Sequence, residues 1–207
     1  MGVLAMRTPP LDVLDWGCGS AEYRPLIERL GHRYVGLDSE GAAADILADV
    51  HALPFEDGAF DHIITNAVLE HVANPFLAVC ELARVMKPGA VFSGSVAFME
   101  PHHYRSRFHL TADAVMDVLT YAGLRVQAIW PSETWLVFDS LARMHGPISG
   151  PSRQLFRLAG ALERVIRQRH LHPRELRNGR WLRRKSAEEY ADELLVVTGQ
   201  VDFLASR

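Results

Sequence analysis

Along the first two-thirds of the chain, short apolar runs rich in β-branched and aromatic residues alternate with stretches whose apolar positions recur every three or four residues. The runs predict strands over Leu11–Trp16, Arg33–Leu37, Asp45–Ala48, Phe60–Asn66, Ala90–Phe98 and Leu124–Trp130. Helical spacing covers Ala21–Leu30, ending at Gly31, and Asn74–Met86, ending at the breaker Lys87-Pro88-Gly89. A third helix starts behind the cap Thr111 and runs to Ala122, closed by Gly123. Near the end, Glu193–Val201, with its run LLVVTGQV, predicts a closing strand. This alternation implies an α/β fold, a doubly wound and mostly parallel seven-stranded sheet with helices on both faces.

The rhythm breaks between the sixth strand and the last. Residues 131–192 hold a loop-rich stretch, HGPISGPSR, and then an amphipathic helix over Arg153–Arg169. Its apolar residues Leu155, Leu158, Ala159, Leu162, Val165 and Ile166 recur at helical spacing. No repeat or low-complexity segment accompanies it. The chain therefore reads as one domain over 1–207, large enough to bury a core, with 131–192 as a helical, basic insertion or lid before the last strand.

Charge sharpens that division. The whole chain carries −3, yet Arg153 to Lys185 holds eleven Arg/Lys against two Asp/Glu, a local +9 that leaves −12 elsewhere. The two cysteines, Cys18 and Cys80, suit neither a disulfide framework nor a zinc motif, so a reduced, cytoplasmic protein is the simple expectation. The start, MGVLAMRTPP, shows no secretory pattern, and no stretch reaches transmembrane length.

The stretch VLDWGCGSAEYRP, Val13 to Pro25, joins a strand to a helix through a glycine turn, a shape that lets a ligand approach the backbone. Gly17 and Gly19 are present, but Glu22 stands where a dinucleotide fingerprint needs its third glycine. Asp15 and Glu22 flank the turn with negative charge, which suits a cationic ligand better than a pyrophosphate. Four pieces then follow in order between Leu11 and Trp130: LDWGCGS, YVGLDSE, ADVHALPFEDGAFDHIITNAVLEHV and LARVMKPGAVF. Together they resemble the class I S-adenosylmethionine-dependent methyltransferases of the small-molecule, type 11-like and ubiquinone-type groups.

The resemblance implies a Rossmann-like methyltransferase fold and S-adenosylmethionine as cofactor. It further implies that Asp15, Gly17 and Gly19 hold the methionine part, with Cys18 and Ser39 among the cofactor-binding positions. Asp38 would accept the ribose hydroxyls, Asp49 and Val50 would meet the adenine, and Asn66 would lie near the sulfonium. Simpler roles stand beside these: Asp38 as a turn residue, Asp49 as a cap, Asn66 as a strand-end cap.

Methyl transfer to a hydroxyl or amine also requires a base, and histidine suits that work near neutral pH. The segment MEPHHYRSRFHLT, Met99 to Thr111, follows the fifth strand and holds His102, His103 and His109, with Tyr104 and Arg107 as candidate substrate contacts. His109, His103 and His71 are the candidate catalytic residues, although each can equally serve a structural or solvated role. No ligand set for a metal accompanies them. Trp130, Trp135, Phe138 and Trp181 would wall an acceptor pocket, or else belong to the core or a homodimer interface.

The basic segment 153–185 has three uses open to it. It can pack on the sheet domain, it can meet an acidic substrate or an anionic membrane carrying a lipid-linked acceptor, or it can bind nucleic acid. The last is disfavoured because Asn66-Ala67-Val68-Leu69 replaces the Pro-Pro-aromatic turn of base-amine methyltransferases. The expected activity is methyl transfer to an oxygen of a small metabolite, of sugar or secondary-metabolite type. The alternative is an S-adenosylmethionine-binding protein, cyclase-like or regulatory, that performs no transfer.

Overall fold

The computed structural model describes residues 10–99, 105–132, 154–155, 158–162 and 200–207. Strands β1 (Asp12–Trp16), β2 (Arg33–Asp38), β3 (Ile46–Leu47), β4 (Phe60–Asn66), β5 (Met86–Ala97), β6 (Arg125–Pro131) and β7 (Gln200–Ser206) form one seven-stranded sheet. Their spatial order is β3-β2-β1-β4-β5-β7-β6. Neighbours run parallel from β3 to β5, while β7 is antiparallel to both β5 and β6. Helices α1 (Arg24–Arg29), α2 (Pro75–Val85) and α3 (Ala112–Tyr121) connect the strands.

The period-two alternation of β1 sorts its side chains onto the two faces of the sheet. Leu14 and Trp16 join a large core with Ile63, Phe92 and Phe203 and the helical residues Val79, Leu82, Val115 and Leu119. Val13 points the other way and packs with Ile64 and with Ile27 of α1. Helices therefore cover both faces. Each fully buried Leu, Val or Phe contributes about 1.5–3 kcal/mol of transfer free energy. Two edge-on ring contacts, Trp16–Phe92 and Phe92–Phe203, carry this core from β1 through β5 to β7.

Three elements differ from the sequence expectation by three residues or more at one boundary. First, α1 starts at Arg24 and not at Ala21, because Ala21 takes a left-handed φ of +56° and Pro25 sits in the first helical positions. Second, β5 starts at Met86, directly behind α2. The Lys87-Pro88-Gly89 stretch lies within it as an irregularity, with Met86 opposite Phe60 and the regular register resuming at Val91 opposite His62. Third, the closing strand is Gln200–Ser206, where Val201, Phe203 and Ala205 alternate into the core. Residues 193–199 of the expected strand lie outside the described residues.

Lys87 has a use at that irregularity. Its Nζ reaches Asp12 at 2.9 Å and Asp61 at 2.7 Å, tying together the amino ends of β1 and β4. Of the expected insertion 131–192, the described residues are 131–132, 154–155 and 158–162. Trp135, Phe138 and Trp181 lie outside them, and Trp130 is 36% exposed at the end of β6.

Candidate functional site

From β1 the chain winds outward to β2 and β3 and then returns to pair β4 on the other side of β1. Such a reversal opens a crevice beyond the carboxyl ends of the two strands. Three segments meet there: the glycine turn after β1, residues 38–40 after β2, and residues 66–71 after β4.

The glycine turn is fastened to the end of β2. Gly17 and Cys18 donate their N–H groups to the Leu37 carbonyl at 2.8 and 3.0 Å, and Gly19 N–H donates to Asp38 Oδ2 at 2.8 Å. Gly17 has φ +76°, and a Cβ there would stand 2.2 Å from Val68 Cγ2. Glycine is required at 17 because the β4 loop presses onto it. A Cβ on Gly19 would meet nothing within 4 Å, so the outer side of the turn is open to a ligand. Two non-glycine residues also take the left-handed region, Ala21 at +56° and Ala67 at +55°. Each costs about 1–2 kcal/mol. Both flank the crevice, where backbone strain tends to gather in functional sites.

Asp38 is oriented before any ligand arrives. Its Oδ1 accepts from the Ser39 and Glu40 N–H groups at 2.7 and 3.3 Å, while Oδ2 accepts from Gly19. A carboxylate oxygen accepts about two hydrogen bonds, so Oδ2 keeps capacity for a hydroxyl. The turn-residue role and the ligand role of Asp38 thus coincide in one geometry. Ser39 is exposed beside it.

Asp15 lies beneath the turn, 2% exposed, with Oδ2 accepting from the Tyr34 hydroxyl at 2.6 Å. Burial pushes its carboxyl from the ordinary 3.8 up to about 6, against the lowering effect of Tyr34, and the nearby Asp38 charge adds to the rise. Burial raises the neighbouring Cys18 thiol as well. Arg24 lies over the Tyr34 ring at 4.4 Å and pairs with Asp45 at 2.7 Å, closing the α1 side of this network.

Asp49 is exposed, and its Oδ1 accepts from both the backbone and Nδ1 of His51, at 2.9 and 2.6 Å. The hydrogen bond from the His51 N–H, chiefly, holds its carboxyl below the usual range. His51 Nε2 accepts from the Asn74 N–H at 3.1 Å, so the neutral imidazole carries its proton on Nδ1, toward Asp49. Asn74 in turn caps α2 through Leu77 N–H. Asp49 therefore does cap a turn, and it is joined to the start of α2. Val50 is half-buried against the main core. Asn66, at the end of β4, is exposed and accepts from the Ser95 hydroxyl.

The candidate bases His71 and His109 lie on the loops after β4 and β5. Glu70 is fully buried, and its carbonyl accepts from the Arg107 and Phe108 N–H groups at 2.5 and 3.1 Å, fastening the two loops together. His71 is half-buried in the first of them, with its N–H donating to the Val68 carbonyl at 2.9 Å. His109 Nδ1 lies 3.1 Å from the Phe98 carbonyl and Nε2 3.3 Å from the Ser106 hydroxyl. His102, His103 and Tyr104 lie outside the described residues. Among the described residues, no group of three or more His, Cys, Asp or Glu is arranged to hold a metal ion.

Fold and crevice together define a doubly wound α/β domain with an acidic, glycine-lined crevice at its switch point. Residues 14–93 match the family described as methyltransferase domain. A probable S-adenosylmethionine-dependent methyltransferase of Mycolicibacterium smegmatis is 30% identical over 165 residues, 69% of this chain and 59% of that protein. A ubiquinone biosynthesis O-methyltransferase of Maricaulis maris is 31% identical over 97 residues, 39% of this chain and 38% of that one. The chain thus spans less than two-thirds of the length of these relatives. In fold it is similar to the solved cyclase SpnF, with TM-score 0.60 and 18% identity over 100% of this chain and 79% of that one. Residues 14–93 thus carry a methyltransferase domain, and the likenesses support a class I S-adenosylmethionine-dependent methyltransferase with S-adenosylmethionine as its cofactor.

The residues present fit that cofactor. The open turn at Gly19 admits close backbone approach, Asp38 offers an acceptor held in place by backbone N–H groups, and the buried Asp15 adds a second carboxyl group beneath the turn.

Proposed function

We propose that this protein transfers the methyl group of S-adenosylmethionine to an oxygen of a small metabolite, of sugar or secondary-metabolite type. The observation that carries the proposal is the Asp38 carboxylate, clamped by three backbone N–H groups beside an open glycine turn at the switch point. The cofactor supplies a methyl carbon already activated by its positively charged sulfur. What the chain must add is alignment, exclusion of water and, for a hydroxyl acceptor, a place for the proton.

His109 suits that last task. A carbonyl can only accept, so Nδ1 carries the proton toward Phe98 and Nε2 presents its lone pair toward Ser106. The acceptor hydroxyl would lose its proton to Nε2, directly or through the Ser106 hydroxyl. His103 and His71 are the other candidate bases. Oxygen is favoured as the acceptor atom by the ubiquinone-type relative, which is an O-methyltransferase.

A second reading keeps the cofactor and omits the transfer. It rests on the likeness of fold to a cyclase. Calorimetric titration with S-adenosylmethionine and S-adenosylhomocysteine, on the wild type and on Asp38→Ala, tests the cofactor site. Losing hydrogen bonds to a charged group costs about 1.5–3 kcal/mol, so the variant should bind roughly ten- to hundredfold more weakly. Labelled-methyl transfer to a panel of hydroxylated acceptors then decides between the two readings. Tight binding with no transfer to any of them favours the second, and no binding to the wild type refutes both.

A further inference from the structure

We propose, on the reading that the crevice holds S-adenosylmethionine with its ribose at Asp38, that His51 is a positioning residue for the adenine. It fixes the Asp49 carboxylate so that one oxygen stands ready to accept from the adenine amino group. Strand β3 runs parallel to β2 with Leu47 opposite Asp38, and the Ala48 N–H donates to the Asp38 carbonyl at 3.0 Å. Asp49 is the next residue. A nucleoside anchored at Asp38 by its ribose thus has Asp49, one strand end further out, as the neighbouring acid for its base.

The two oxygens of Asp49 are used unequally. Oδ1 accepts twice from His51, from the N–H at 2.9 Å and from Nδ1 at 2.6 Å. Among the described residues Oδ2 takes no hydrogen bond, and the side chain is 71% exposed. An exposed carboxylate turns among its rotamers, and arresting it at the moment of binding weakens the complex. His51 arrests it beforehand. The imidazole is itself held, because Nε2 accepts from the Asn74 N–H at 3.1 Å. Asn74 opens α2, and its own side chain accepts from the Leu77 N–H. In a capping box a glutamate or glutamine at position 77 would take the Asn74 N–H, and Leu77 has no group to do so. A histidine kept only to serve α2 would need Nε2 alone. The second nitrogen, against Asp49, gives it the further role.

Two substitutions separate the two nitrogens. Asparagine puts an amide N–H where Nδ1 stands and nothing at Nε2, so His51→Asn keeps the Asp49 arm alone. Glutamine reaches the Nε2 position with an amide oxygen, so His51→Gln keeps the Asn74 arm alone. The measurement is calorimetric titration with S-adenosylhomocysteine and with its analogue bearing purine for adenine, which lacks the amino group. Wild type should prefer the adenine ligand roughly tenfold. His51→Asn should keep that preference while lowering the thermal melt. His51→Gln should keep the melt while binding S-adenosylhomocysteine roughly two- to tenfold more weakly, with the preference narrowed. In an Asp49→Ala background His51→Gln should have no further effect on binding, and an equal loss there overturns the proposal. So does affinity that follows the melt, with His51→Asn the weaker binder, or a His51→Gln variant that binds both ligands as wild type does. A wild type that binds S-adenosylhomocysteine without preferring it overturns the role of His51 and leaves the cofactor site standing. A wild type that binds neither ligand refutes the cofactor site, and the role of His51 with it.

Discussion

Asp15→Asn isolates the cost of keeping a carboxyl group beneath the glycine turn. The side chain is 2% exposed, and burial raises its pKa from 3.8 to about 6. A folded-state value above the unfolded one means that the folded protein holds the proton more tightly. The associated stability is complete below about pH 4 and is lost as the pH rises through about 6. The loss amounts to about 3 kcal/mol. Asparagine keeps an oxygen that can accept from the Tyr34 hydroxyl but cannot ionise. Urea unfolding of both proteins should therefore show a stability difference that grows in favour of Asp15→Asn by roughly 3 kcal/mol between about pH 4 and pH 7. Any penalty for burying the amide shifts the difference by a constant and leaves this slope intact. A difference flat across that range would mean that Asp15 ionises in the folded protein as easily as in the unfolded chain, and the assignment of its burial as the dominant influence would be wrong.

Two further substitutions probe the strained backbone around the crevice. Gly17→Ala places a Cβ against Val68 at a positive φ and should destabilise the protein by about 2 kcal/mol or more in chemical unfolding. Adding Val68→Ala should recover part of that loss, and strict additivity of the two changes would refute the proposed clash. Ala21→Gly relieves a left-handed alanine, worth about 1–2 kcal/mol, at an unfolded-state cost of about 0.4–1 kcal/mol. A net gain of roughly 1 kcal/mol is expected in the same assay, and a loss would place the strain elsewhere.

The strands were legible where their apolar runs are short and bounded. Phe60–Asn66 agrees to the residue, because Gly58 and the turn after Asn66 punctuate it. The last strand was legible only in part: residues 193–199 of the expected strand lie outside the described residues. Beyond Val201 it runs on to Ser206 through an alternation that the run LLVVTGQV does not display, with Val201, Phe203 and Ala205 on the core face and Asp202 and Leu204 half-buried on the other. The first helix lost its opening turn to the left-handed Ala21, which no apolar period reveals. In the site, Asp38 is legible as the acidic residue that ends the second strand, and the glycine turn by its glycines. Tyr34, His51 and Ser95 escaped notice. Tyr34 is four residues before Asp38 in sequence and meets Asp15 only through the parallel pairing of β1 with β2. Ser95 meets Asn66 only through the pairing of β4 with β5. His51 could have been found, since an Asp-x-His spacing after a strand favours a local side-chain turn.

Because β6 and β7 are antiparallel hydrogen-bonded neighbours, Pro131 stands opposite Val201, so the chain between them begins and ends at one place on the sheet. In connectivity β6 and β7 are the two arms of a hairpin joined by a long intervening segment. A loop with its ends already pinned costs little to enlarge, about 0.6 kcal/mol for each doubling of its length. The cofactor crevice lies on other strands, at the ends of β1, β2 and β4. The ends of β1, β2 and β4 and the segment between β6 and β7 are therefore set by separate parts of the chain, and that segment can change in length and content while the crevice keeps its residues.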